Sequence, residues 1–119
     1  MASTTNTIRI RVMADDTIAL GPGKAALLQA IAQAGSISGA AREMGMSYRR
    51  AWLLVEQMNR CFRTPLVLTA TGGARGGGAQ VTELALEVLA RYRTMQQKAC
   101  AAVDDDLRYL QALMRDADV

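Results

Sequence analysis

Apolar and polar residues change rhythm several times along this chain, and each change marks a new element. From Thr7 to Met13, the apolar Ile8, Ile10 and Val12 alternate with Thr7, Arg9 and Arg11. That period of two predicts a half-buried strand with its arginines on the wet face. Asp15-Asp16 reads as a turn, and Ile18-Ala19-Leu20 as a short return strand. After Gly21-Pro22-Gly23 the rhythm becomes helical. Leu27, Leu28, Ile31 and Ala34 share one face of a helix from about Lys24 to Ala34, which Gly35 ends. Ser38 is the expected N-cap of a short helix, Gly39 to Met44, closed by Gly45; its Ala40 and Ala41 are small enough for close packing. Ser47 is the expected cap of a longer helix, about Tyr48 to Phe62. There Ala51, Val55, Met58 and Phe62 form one buried stripe until Pro65 prevents continuation.

Beyond Pro65 the pattern is β-prone again. Leu66-Val67-Leu68-Thr69 and Ala79-Gln80-Val81 flank a glycine-rich segment, Thr71 to Gly78, with Arg75 as its one charge. Two strands around such a tip describe a hairpin wing over residues 66–81. Thr82-Glu83 supplies an N-cap and a first-turn acid for the longest helical stretch, Glu83 to Val103. Leu84, Val88, Tyr92, Met95, Ala99 and Val103 recur there at steps of three and four, the spacing of a helix–helix seam. Asp104-Asp105-Asp106 is expected to break that helix and cap a last one through Leu107, Leu110 and Met114. The chain divides into a module over residues 1–82 and a helical extension over 83–119. The fold class is mainly α with a small β wing, an α+β winged helix-turn-helix.

Composition narrows the chemistry. With 119 residues and no histidine, the chain has one modest core and lacks the commonest general base and metal ligand. No catalytic role, cofactor or metal is expected. Cys61 and Cys100 are too far apart for a CxxC pair; two lone thiols fit a reducing compartment and read as small buried hydrophobes. Met44, Met46, Met58, Met95 and Met114 fall at core spacing and read as gap-fillers. No apolar run approaches the ~20 residues of a membrane span, and the N-terminus lacks signal-peptide character, so a cytoplasmic location is expected. The net charge is only +3. It is unevenly distributed: residues 24–75 hold seven basic groups against Glu43 and Glu56, whereas residues 76–119 hold five against seven acids. A basic middle with a mildly acidic tail suits a nucleic-acid-binding module with an attached interaction element.

Two helices joined at Gly45-Met46-Ser47, the second basic at its start, form a helix-turn-helix. The recognition helix, about residues 47–62, would present Ser47, Tyr48, Arg49, Arg50 and Trp52 to a major groove, where an arginine donates bidentately to guanine. Trp52 lies one residue off the buried stripe and serves equally as packing or as a DNA contact. Lys24, Ser36, Ser38 and Arg60 are further phosphate candidates, and Arg75 would touch the flanking backbone. The plainer reading is an amphipathic helix pair with solvated arginines. A phosphate-loop reading of the glycine run fails, because Ala79-Gln80 follows Gly78 where Lys-Ser/Thr is required.

The runs Gly35-Ser36-Ile37-Ser38-Gly39-Ala40-Ala41, Met46-Ser47-Tyr48-Arg49-Arg50-Ala51-Trp52 and Glu56-Gln57-Met58-Asn59, with the glycine-rich wing, resemble the N-terminal domain of ModE-type molybdate-responsive regulators. That domain is a winged helix related to the LysR-type DNA-binding domain, and the resemblance covers roughly residues 7–103. It implies a two-fold dimer through the long helix after the wing and two recognition helices on a near-palindromic operator in double-stranded DNA. Molybdate-sensing members carry C-terminal oxyanion-binding domains, and nothing of that kind precedes Val119. The expectation is therefore a stand-alone DNA-binding form, a chain whose sensor or partner protein is separate, or a shortened chain. A winged-helix protein-interaction module without sequence-specific DNA binding is the alternative.

Overall fold

The computed structural model describes residues 8–70 and 78–115. The described residues form five helices and two antiparallel strand pairs in the order β1 (Val12–Ala14), β2 (Thr17–Leu20), α1 (Pro22–Ala34), α2 (Ile37–Met44), α3 (Tyr48–Cys61), β3 (Val67–Ala70), β4 (Gly78–Val81), α4 (Glu83–Ala102), α5 (Asp104–Leu113). This is the expected α+β winged helix-turn-helix.

The first strand is shorter than its alternation predicts. β1 begins at Val12 and pairs with β2 across Asp15-Asp16, with Ala14 opposite Thr17 and a register irregularity between Val12 and Met13. Asp15 takes the left-handed conformation at φ 53°, which an aspartate tolerates in a tight turn. Residues 8–11 lie outside β1, and α4 satisfies both backbone groups of Ile10 in their midst. The Tyr92 hydroxyl donates to the Ile10 carbonyl at 2.6 Å, and the Ile10 N–H donates to Gln96 Oε1 at 3.3 Å.

Helix α1 starts two residues before the expected Lys24. Proline at the first helical position lacks only an N–H that would have no partner there. Leu27, Leu28 and Ile31 are fully buried on its core face, while Ala34 is exposed. The cap of α2 is Ser36, not Ser38: its Oγ accepts the Gly39 N–H at 2.9 Å, which brings Ile37 into the first turn and into the core. A side chain on Gly39 would meet that Oγ at 2.8 Å and Ala34 Cβ at 3.1 Å, so glycine allows α1 and α2 their close approach. Gly35 and Gly45, at φ 74° and 67°, close α1 and α2 in the left-handed conformation that glycine adopts without strain.

Ala51, Val55 and Met58 bury the expected stripe of α3, with Phe62 packed at its end. Asn59 then reaches out of the helix to the wing. Its Oδ1 accepts the Leu66 N–H at 2.8 Å and the Val67 N–H at 3.2 Å, and its Nδ2 donates to the Val67 carbonyl at 3.0 Å. The wing strands pair in register from Val67–Val81 to Ala70–Gly78, and the Ala79 N–H donates to the Gly35 carbonyl at 3.0 Å. Thr82 caps α4 by accepting the Ala85 N–H and also ties back to the wing's start, its own N–H donating to the Leu66 carbonyl at 2.9 Å.

Helix α4 lays Ala85, Leu89 and Tyr92 on the core. It stops at Ala102, and the acidic run is not a cap. Val103 occupies the junction, and Asp104 to Asp106 form the first turn of α5, where negative charge suits the helix dipole. Only Leu107 of α5 is buried; Leu110 and Met114, expected on its inner face, are exposed, as is Met95 on α4. The radius of gyration, 16.9 Å, exceeds the roughly 13–14 Å of a compact chain this long, and the longest dimension is 56 Å.

Asn59→Ala is expected to cost about 2–3 kcal/mol, because two part-buried N–H groups and one carbonyl lose their partner together. Urea denaturation should show a lower midpoint at unchanged slope.

Candidate nucleic-acid interface

Helix α3 is anchored on one side and free on the other. The Ser47 Oγ accepts the Arg50 N–H at 3.1 Å and fixes where the helix begins. With the stripe Ala51, Val55, Met58 inward, a turn of 100° per residue directs Arg49, Leu53 and Arg60 outward. Tyr48 and Trp52 leave 52% and 37% of their surfaces to solvent, so Trp52 is packed along one edge and open on the other. A capped helix start with exposed aromatic and guanidinium groups can donate to base edges, and its amides favour phosphate.

Arg49 and Arg50, neighbours in sequence, point in different directions. Arg50 lines a cleft on the flank of α3 together with Leu54 and Gln57, its neighbours at four and seven residues, whereas Arg49 does not. Arg9 and Arg11 face the same cleft from the N-terminal segment. Only their alternation with isoleucines signalled these two in the sequence, and it placed them on a solvated strand face. Asn59, which fixes the wing against α3, carried no signal beyond its helical position.

Lys24, expected as a phosphate contact, lines the floor of that cleft but is largely buried. It is 6% exposed, and its Nζ donates to the Ile18 carbonyl inside the N-terminal hairpin. Burial pushes its pKa below the ordinary lysine value, an effect partly opposed by the nearby Cys61 thiolate form. The side chain is a tie between α1 and β2. Of the other candidates, Ser36 uses its hydroxyl as the α2 cap, while Ser38 is exposed with its Oγ 3.5 Å from that of Ser36. Arg60 is exposed and paired with Glu56 at 3.1 Å. Arg75 lies outside the described residues.

The α4 stripe is split by the fold. Tyr92 is buried against its own chain, bonded to Ile10, and this burial raises its pKa against the opposing charge of Arg11. Leu84 and Val88 are half-buried at the margin of the core, Ala99 and Val103 are half-buried further along, and Met95 is 38% exposed. Val88 and Met95 border an apolar hollow of about 190 Å³ with Val12, Leu20 and Phe62. Among the described residues, no cluster of acidic, cysteine or histidine side chains could hold a metal ion, and no helix is long and apolar enough to cross a membrane.

Comparison with known proteins agrees with this geometry. The chain is 47% identical over 73 residues to the molybdenum transport protein ModE of Herbaspirillum seropedicae, covering 61% of this chain and 27% of the relative. It is 44% identical over 77 residues to the molybdenum-pterin-binding protein MopA of Rhodobacter capsulatus, covering 65% and 29%. It is 40% identical over 88 residues to the DNA-binding transcriptional dual regulator ModE of Escherichia coli K12, covering 71% and 34%. The aligned part is between about a quarter and a third of each of these relatives. Residues 24–86, from α1 through the wing into α4, match the family model for bacterial regulatory helix-turn-helix proteins of the lysR family. That match takes in more than half of the sequence, and the chain belongs to this family.

Proposed function

We propose that this chain binds double-stranded DNA as a homodimeric transcriptional regulator, each subunit placing α3 in a major groove. The observation that carries the reading is the outward face of α3. Tyr48, Arg49 and Trp52 stand exposed on a helix whose start is capped and whose far end Asn59 fixes to the wing. Residues 1–82 form the DNA-binding module in this reading, and residues 83–119 the dimerisation extension. The seam is Leu84, Val88, Met95, Ala99 and Val103 without Tyr92, and the apolar hollow beside Val88 and Met95 suits a side chain from a second copy. The relatives' names tie them to molybdenum transport or to molybdenum-pterin binding; this chain spans too little of their length for more than the DNA-binding role to be carried over.

A second reading, an interaction module that engages a separate sensor or partner protein, draws on the exposed Tyr109, Leu110, Leu113 and Met114 of the α5 region. A gel-shift titration against pooled genomic fragments at two salt concentrations separates the two. Saturable, sequence-dependent retention supports the regulator, and sequence-blind retention or none supports the module.

Arg49→Ala should weaken binding to the selected fragments about tenfold or more and to random duplex far less, since a bidentate guanine contact is worth ~1–3 kcal/mol. If it binds the selected duplex like the parent, Arg49 does not read bases. Arg75→Ala should weaken both about equally and flatten the salt dependence by about one unit. Lys24→Met should change duplex affinity and its salt slope little, because the ammonium is buried on the Ile18 carbonyl, and should lower stability in urea denaturation by about 1–3 kcal/mol, because that carbonyl loses its partner. Met95→Glu should convert the dimer to monomer in sedimentation equilibrium.

A further inference from the structure

The cleft beside α3 has a cationic wall built from three separate parts of the chain. Arg9 and Arg11 approach from the N-terminal segment, Arg50 and Gln57 from α3, and the first turn of α1 closes the floor, around a volume of about 880 Å³. The arginines are not solvated at random. Arg11 lays its stem across the start of α1, where a Cβ built on Gly21 would lie 3.4 Å from Arg11 Cγ. Ile10, between the two, is held to α4 through both of its backbone groups. Neither Arg9, Arg11 nor Arg50 has an ion pair or a side-chain hydrogen bond among the described residues, and Asp16, the one carboxylate in the wall, pairs with none of them. Three guanidinium groups border this concavity, with the buried Lys24 in its floor and Asp16 as its one carboxylate, so the cleft carries net positive charge and attracts an anion.

Groove dimensions indicate which anion. A helix with its side chains is ~10–12 Å across and fills a major groove ~12 Å wide, so each flank of a groove-bound helix faces a phosphate strand. Arg50 and Gln57 lie on one such flank, two turns apart. We propose that this cleft receives a backbone phosphate of the strand bordering the groove that α3 enters, held by Arg9, Arg11 and Arg50. The inference rests on the DNA-binding reading above. It assigns Arg50 to the backbone and leaves base reading to the outward Arg49, and it brings the N-terminal segment into the interface.

The test is the salt dependence of duplex binding by Arg9→Gln/Arg11→Gln, in which glutamine keeps the stem that packs over Gly21. Arg9→Gln alone guards against a folding defect, because Arg9 is exposed and, unlike Arg11, is not packed over Gly21. Lys98→Gln/Arg115→Gln removes the same charge from exposed positions on α4 and after α5. The expected result is a slope of log K against log salt shallower by about 0.9 per lost contact, equal for selected and random duplex, with the control pair at the parental slope. A parental slope in the Arg9/Arg11 variants overturns this inference and leaves the DNA-binding reading standing. An equal flattening by the control pair also overturns it, because the effect would then belong to the whole-molecule field. Failure of the parent to retain any duplex overturns both. Saturable binding of inorganic phosphate to the parent, lost in the double variant while duplex affinity is unchanged, would assign the cleft to a free oxyanion and overturn the duplex contact.

Discussion

The amide of Asn59 and the backbone of Leu66 hold the molecule's three working parts in one frame. Leu66 has no exposed surface; its N–H is bound by the last full turn of α3, and its carbonyl by the residue that caps α4. The end of the recognition helix, the start of the wing and the start of the long helix therefore meet at one residue whose polar groups are all occupied. A buried N–H or carbonyl without a partner is costly, so a rotation large enough to break these bonds in one part is opposed by the other two. These bonds help set the angle between α3 and the wing. The Ala79 amide on the Gly35 carbonyl adds a second support from α1.

What the sequence disclosed follows from how local each signal is. Stripes, glycine stops and side-chain caps are encoded within a few residues, and α3, α4 and the wing strands lie within a residue or two of expectation. Structure and pattern differ where contacts beyond the local pattern decide the outcome. Residues 8–11 alternate like a strand, yet α4, more than eighty residues away, satisfies both backbone groups of Ile10. Ser36 and Ser38 are equally good caps in isolation; the burial of Ile37 against the core selects Ser36. Lys24 looked like a surface cation because no local pattern reveals that Ile18 turns its carbonyl toward the ammonium.

Charge shows the same division between what is local and what is not. The basic surplus of residues 24–75 was legible from counting, but its allocation was not. One of its cations is buried, one is paired with Glu56, and Arg49 and Arg50 face different surroundings although they are adjacent. Two arginines outside that segment share the cleft with Arg50. Helical phase separates the adjacent pair, and only the folded N-terminal segment unites the distant ones.

The hydrogen bonds from α4 to Ile10 have a thermodynamic consequence. Fixing the backbone of a free chain costs ~1–2 kcal/mol per residue. An arginine-bearing tail that became ordered only against a ligand would subtract that cost from its affinity. Here Tyr92 and Gln96 fix the residue between Arg9 and Arg11 as the chain folds, so the ordering entropy is met in folding and not at association. The segment around Ile10 is preorganised by α4, and in the proposed interface a change confined to α4 would alter how readily Arg9 and Arg11 meet a phosphate without touching either arginine.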